Sequence, residues 1–122
     1  METRLMTCWI DGEKAVIALE DAIRTTPNLD ELQINFLREF KLRVTKQAVT
    51  DGVIESNAFY RIFIKTCSQL GIIADRYAKI TQFFLRILKD RFEEIDHNFV
   101  ASLRNLLGEN NEDIFPKSKT VH

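Results

Sequence analysis

The sequence predicts an all-α protein of about five to six helices in antiparallel hairpins. Three observations carry that expectation. Apolar residues recur at spacings of three and four along most of the chain, the period that gathers side chains onto one helix face. No segment shows the two-residue alternation of a half-buried strand. Gly12, Gly52, Gly71 and Gly108, with Pro27 and Pro116, all fall between the periodic segments, where helix breakers mark joints.

Taken in order, residues 3–11 are expected to form a short first helix, and 13–25 (EKAVIALEDAIRT) a second or its continuation past Gly12. A turn at Thr26, Pro27 and Asn28 follows. Asn28 with Glu31 has the form of an N-cap and its reciprocal partner, which satisfy the unpaired amides of a first turn. They open a long helix over 29–50. Within it Leu29, Leu32, Phe36, Leu37, Phe40, Val44 and Ala48 share one face, while Ile34, Leu42 and Val49 fall on the opposite side. Gly52 ends this helix, because glycine takes the left-handed cap conformation without steric cost.

Ser56 is placed to cap the next helix, 57–70, whose stripe is Phe59, Phe63, Cys67 and Leu70 with Tyr60 and Ile64 beside it. Gly71 closes it. The fourth helix, 74–93, carries Tyr77, Ile80, Phe83, Phe84, Leu85, Ile87, Leu88 and Phe92. At ~100° per residue that arc covers about half the circumference, which predicts contact with more than one neighbour. Asp96 caps a fifth helix, 97–107, with Phe99, Val100, Leu103, Leu106 and Leu107 inward. From Glu109 the stretch ENNEDIFPKSKTVH loses periodicity, so one helical domain over 1–108 and a flexible tail over 109–122 are expected. The helices pair as 29–50 with 57–70 and 74–93 with 97–107. Stacked helical-hairpin arrays of the HEAT kind use repeats of about 40 residues, and a closed bundle uses the same short loops. Both architectures fit.

The composition narrows the function classes. The chain has 122 residues, 45% hydrophobic and 29% charged, enough to bury roughly two thirds of the unfolded surface without a disulfide or metal. Its 17 basic and 18 acidic residues leave a formal net charge of -1, which lacks the global signature of a protein that coats nucleic acid. Cys8 and Cys67 lie far apart in apolar contexts, without metal or redox spacing. They read as reduced thiols of an intracellular protein. The first residues, METRLMTCWIDGEK, are too broken by charge for a secretory signal and too short for a membrane span. A soluble cytoplasmic protein is expected, with the nucleus as a second compartment.

Three constellations invite a chemical reading. Arg91 and His97, separated by five residues in RFEEIDH, resemble the arginine-to-histidine motif of helical HEPN ribonucleases, in which histidine acts as acid or base and arginine steadies phosphate charge. Phe92 stands where that family usually has a polar residue, and both side chains also fit a solvated joint between helices. Asp90, Glu93, Glu94 and Asp96 cluster at the same joint but need not converge on a cation. Arg76, Lys79, Arg86 and Lys89 share part of one helix face, which reads either as a phosphate-facing patch or as the polar side of an amphipathic helix. No glycine-rich phosphate loop occurs, and the histidines are His97 and the terminal His122, so no serine or cysteine has a base beside it. The sequence therefore predicts a non-enzymatic protein without metal or cofactor. Trp9, Phe59, Tyr60 and Phe63 are expected in the core, an interface role being the alternative for each.

The order of segments carries a family resemblance. Leu5-Met6-Thr7-Cys8-Trp9-Ile10 comes first, then Phe36 to Val49 leading into Asp51-Gly52-Val53-Ile54-Glu55-Ser56, then Phe59-Tyr60-Arg61-Ile62-Phe63 with Cys67, then Tyr77-Ala78-Lys79-Ile80-Thr81-Gln82-Phe83-Phe84-Leu85-Arg86-Ile87-Leu88. This succession resembles a helical stretch of the large scaffold subunit NOT-one of the eukaryotic CCR-NOT messenger-RNA deadenylase complex. The likeness runs from residue 5 to about 90, and the joint from Gly71 to Ala74 is shorter here than in that family. The resemblance implies a helical-repeat module that holds deadenylase nucleases and regulatory subunits together, with other protein subunits as partners and no direct contact with nucleic acid or membrane.

A scaffold or adaptor module acting by protein–protein contact is the reading that results. Its expected anchors are Ile34, Leu42, Ile72 and Ile73, which sit off the main stripes or in a joint. The alternatives are a HEPN-like ribonuclease using Arg91 and His97, and a small homodimeric helical regulator.

Overall fold

The computed structural model describes residues 8–114. Its elements run β1 (Trp9–Asp11), α1 (Gly12–Thr25), α2 (Glu31–Asp51), β2 (Val53–Glu55), α3 (Ser56–Gln69), α4 (Ala74–Ile87) and α5 (His97–Ile114), with α4 prolonged by a π-helical turn over Leu88–Phe92. The chain is all-α apart from the short ribbon made by the two strands.

That ribbon corrects the start of the sequence reading. Residues 9–11 are strand, paired antiparallel with β2 in the register Trp9 with Glu55, Ile10 with Ile54 and Asp11 with Val53. Residues 3–7 of the expected first helix lie outside the described residues. The Asp11 carboxylate accepts the Lys14 N–H at 3.0 Å, so it N-caps α1 and the helix begins at Gly12. The pleat then sorts the side chains. Ile10 and Ile54 face inward and are buried, whereas Trp9 is 52% exposed, against the expectation that it packs in the core.

Two further caps differ from expectation. Helix α2 opens at Asp30, whose side chain accepts the Gln33 N–H at 2.7 Å while Gln33 accepts the Asp30 N–H at 3.0 Å. This is a full capping box. Asn28 sits two residues earlier in the left-handed region, at φ 58°, which asparagine tolerates better than most residues. Ser56 does not cap α3 either: Glu55 is the N-cap, without a side-chain hydrogen bond, and the buried Ser56 hydroxyl lies 2.9 Å from that of Ser102 on α5. Asp96 does cap α5, accepting the Phe99 N–H at 3.1 Å. Gly108 does not stop that helix, which continues to Ile114 into the stretch the sequence assigns to a tail.

The core forms where the predicted stripes meet. Phe36 and Phe40 of α2, Phe59 and Phe63 of α3, Phe84 of α4, Phe92 of the π turn and Phe99 of α5 are all fully buried. Phe84 packs on Phe36, Phe40, Phe59 and Phe63, with the Phe63 ring stacked at 4.6 Å between centroids. Phe59 adds edge contacts to Phe40, Phe92 and Phe99. Rings meeting edge-on or offset gain energy beyond their area burial. One continuous core serves every element. Helix α1 packs along α2 and also touches the π turn, so the first helix closes on the prolonged fourth. Of the two architectures the sequence allows, this closure corresponds to the bundle.

The joint between α3 and α4 shows why one predicted anchor fails. Gly71 takes φ 69°, its N–H reaches Ser68 O at 3.1 Å, and the Ile72 N–H reaches Cys67 O at 2.9 Å. That pair of bonds is a Schellman motif, which turns the residue after the glycine back onto the last helical turn. Ile72 is therefore 2% exposed and joins the core with Cys67, while Ile73, next along, is 72% exposed.

Candidate functional site

Helix α2 carries apolar residues on two faces. Phe36, Leu37, Phe40 and Val44 are buried on one. On the other, Ile34, Arg38, Leu42, Lys46 and Val49 follow at steps of four and three, which aligns them along one outward stripe. Ile34 is half-buried, and Leu42 is 51% exposed. Leu42 stands between two grooves and lines both. The first, about 320 Å³, runs between α2 and α3 past Glu39, Arg43, Lys46, Ile62 and Lys65. The second, about 570 Å³, runs between α1 and α2 past Val16, Glu20, Ile23, Arg38 and Lys41.

The charges around Leu42 fall into two groups. Lys41 pairs with Glu20 of α1 at 3.3 Å, and Arg43 pairs with Glu39 at 3.1 Å and reaches Gln69 of α3. These cations tie the neighbouring helices to α2. The side-chain cations of Arg38, Lys46 and Lys65 have no ion-pair or hydrogen-bond partner among the described residues. Five cationic side chains thus line the grooves against two carboxylates, on a chain whose net charge is -1. Partly screened surface charges of this kind act on encounter and orientation, with apolar contacts supplying most of the affinity. The sequence reading found Ile34 and Leu42 but missed these three cations. Their signal is the i, i+4 interleaving of Arg38 and Lys46 with Leu42.

The predicted anchors therefore do not form one group. Ile34 and Leu42 share the α2 stripe, Ile73 lies exposed in the α3–α4 joint, and Ile72 is withdrawn from the surface.

Arg91 and His97 take separate partners. The Arg91 guanidinium donates through Nη2 to the Thr25 hydroxyl at the end of α1, whereas Nδ1 of the exposed His97 lies 2.8 Å from Glu93 Oε2. Arg91 Nε and Glu93 Oε1 have no hydrogen-bond partner among the described residues. Both belong to the joint around the π turn, where the backbone ladder is widened. Among the described residues no group of histidine, cysteine and carboxylate side chains is arranged to hold a metal ion. Arg76, Lys79, Arg86 and Lys89 are all exposed on α4 and its π turn.

Burial holds the Cys67 thiol and the Tyr77 phenol protonated. It pushes the Cys67 thiol from 9.0 to about 12. The Tyr77 phenol rises from 10.0 to about 12, chiefly by burial and then through the nearby Tyr60 and Cys67. Neither is a nucleophile near neutral pH.

Fold and site together define a single-core helical bundle with a grooved, cation-edged outer helix. No protein-family model, curated protein or solved structure matches the chain. No helix among the described residues is long and apolar enough to cross a membrane.

Proposed function

We propose that the chain is a non-enzymatic adaptor module that binds another protein through the outward face of α2. The observation that carries this reading is Leu42: a large apolar side chain, half exposed, on a ridge with a groove on either side. A few such anchors seated in grooves supply most of the binding energy of protein interfaces. The resemblance to the NOT-one scaffold points to the machinery of messenger-RNA deadenylation as the setting, with its subunits as partners. The separate hydrogen bonds of Arg91 and His97 favour the adaptor over a ribonuclease that would use them as a pair.

The test is affinity capture from a eukaryotic extract with the chain and with Leu42→Ser, read by mass spectrometry. Proteins lost with Leu42→Ser while the helical circular dichroism is unchanged support the adaptor. Capture indifferent to Leu42, or RNA cleavage by the purified chain that disappears in His97→Ala, overturns it.

A further inference from the structure

The geometry points to an acidic amphipathic helix of a partner protein as the occupant of the α2 ridge. This deepens the adaptor reading and rests on it. The stripe alternates in kind, apolar Ile34, cationic Arg38, apolar Leu42, cationic Lys46, apolar Val49. From Ile34 to Val49 it spans about 22 Å at the usual helical rise, the reach of roughly four turns of a second helix. A helix laid in a groove presents apolar anchors at spacings of three, four and seven, with its polar flanks against the groove edges. The edges here are Arg38 on one side of Leu42 and Lys46 with Lys65 on the other, each without a partner among the described residues.

Charge complementarity selects the chemistry. Lys41 and Arg43 are already answered by Glu20 and Glu39, so the surplus is positive and lies beside the apolar ridge. A neutral helix would leave those cations crowded and unanswered, and a basic one would be repelled. Asp or Glu flanking two or three large apolar residues meets both features at once. A second copy of this chain fits less well, because its own α2 ridge would bring cations against cations.

The discriminating experiment is selection, against the full chain, from a display library of 18-residue amphipathic helices with fixed apolar anchors and randomised polar positions. The expected outcome is a pool enriched in Asp and Glu beside the anchors. Its members should weaken about tenfold with Lys46→Glu plus Lys65→Glu, and at least tenfold with Leu42→Ser. They should also weaken several-fold as salt rises from low to physiological strength. Leu42, Lys46 and Lys65 are surface positions, and unchanged amide spectra of the variants would confirm that the fold is kept. Neutral or basic winners that still depend on Leu42 overturn the acidic-helix inference and leave the adaptor standing. The acidic helix is equally ruled out if a uridine oligonucleotide shifts the amides of Arg38 and Lys46, or if sedimentation shows a dimer abolished by Leu42→Ser. A library that yields no binder dependent on Leu42 overturns both.

Discussion

Gly12 and Ala48 touch backbone to side chain where α1 crosses the end of α2. A Cβ added at Gly12 would lie 2.5 Å from the Ala48 Cβ and 3.0 Å from both the Ala48 Cα and the Gly52 carbonyl oxygen. The Gly12 N–H donates to that same oxygen at 2.9 Å. This close approach fixes how the ribbon, α1 and α2 converge, and it needs the smallest residue on one side and the next smallest on the other.

Gly12→Ala should therefore destabilise the protein by about 1–3 kcal/mol through overpacking against backbone. Helix propensity pulls the other way by at most about 1 kcal/mol, less at a first helical position. Urea denaturation measures the loss, and pairing the change with Ala48→Gly should recover part of it. Additive single effects in the double-mutant cycle would show that the two positions do not share the strain.

Phe84→Ala should cost about 3–5 kcal/mol, the range for deleting a buried ring. Phe84 contacts four other phenylalanines, so the hole is lined by rigid rings that collapse poorly into it. Val49→Ser, at a site 82% exposed, should stay within about 0.5 kcal/mol by the same denaturation assay. Comparable losses at the two positions would contradict the placement of the core.

Stability should fall as pH rises above about 9. Cys67 and Tyr77 have folded-state values raised from 9.0 and 10.0 to about 12. Both groups favour the folded state fully below the unfolded values. That advantage is lost between about pH 9 and 12, because the unfolded chain releases protons that the folded chain retains. Each such proton steepens the decline by about 1.4 kcal/mol per pH unit. Denaturation midpoints at pH 8, 10 and 11 should show the fall, and Cys67→Ala should flatten its onset near pH 9. An unchanged onset in that variant would remove Cys67 as the cause.

Long periodic segments were readable from the sequence and short ones were not. The stripe of α2 is buried at Phe36, Leu37, Phe40 and Val44 as its spacing predicts, and the wide arc of α4 touches several neighbours through Phe84. Strands of three residues are too short for alternation to register, yet Trp9-Ile10-Asp11 and Val53-Ile54-Glu55 each place an isoleucine between two outward residues. The α2 cap was ambiguous in principle, because Asn28 with Glu31 and Asp30 with Gln33 both satisfy the capping pattern. Only the left-handed backbone of Asn28 decides between them. Ile72 was legible in hindsight through the rule that the residue after a Schellman glycine turns inward. At the candidate site the apolar members were visible as off-stripe residues. The pairing of Lys41 and Arg43, and the lack of partners for Arg38, Lys46 and Lys65, depend on which helices stand beside α2, and spacing along one helix does not encode that.

The ribbon also ties residues that are far apart along the chain: Trp9–Asp11 has no strand to pair with until Val53–Glu55 has been synthesised. That seam cannot close until all of α1 and α2, which lie between the two strands, has been made.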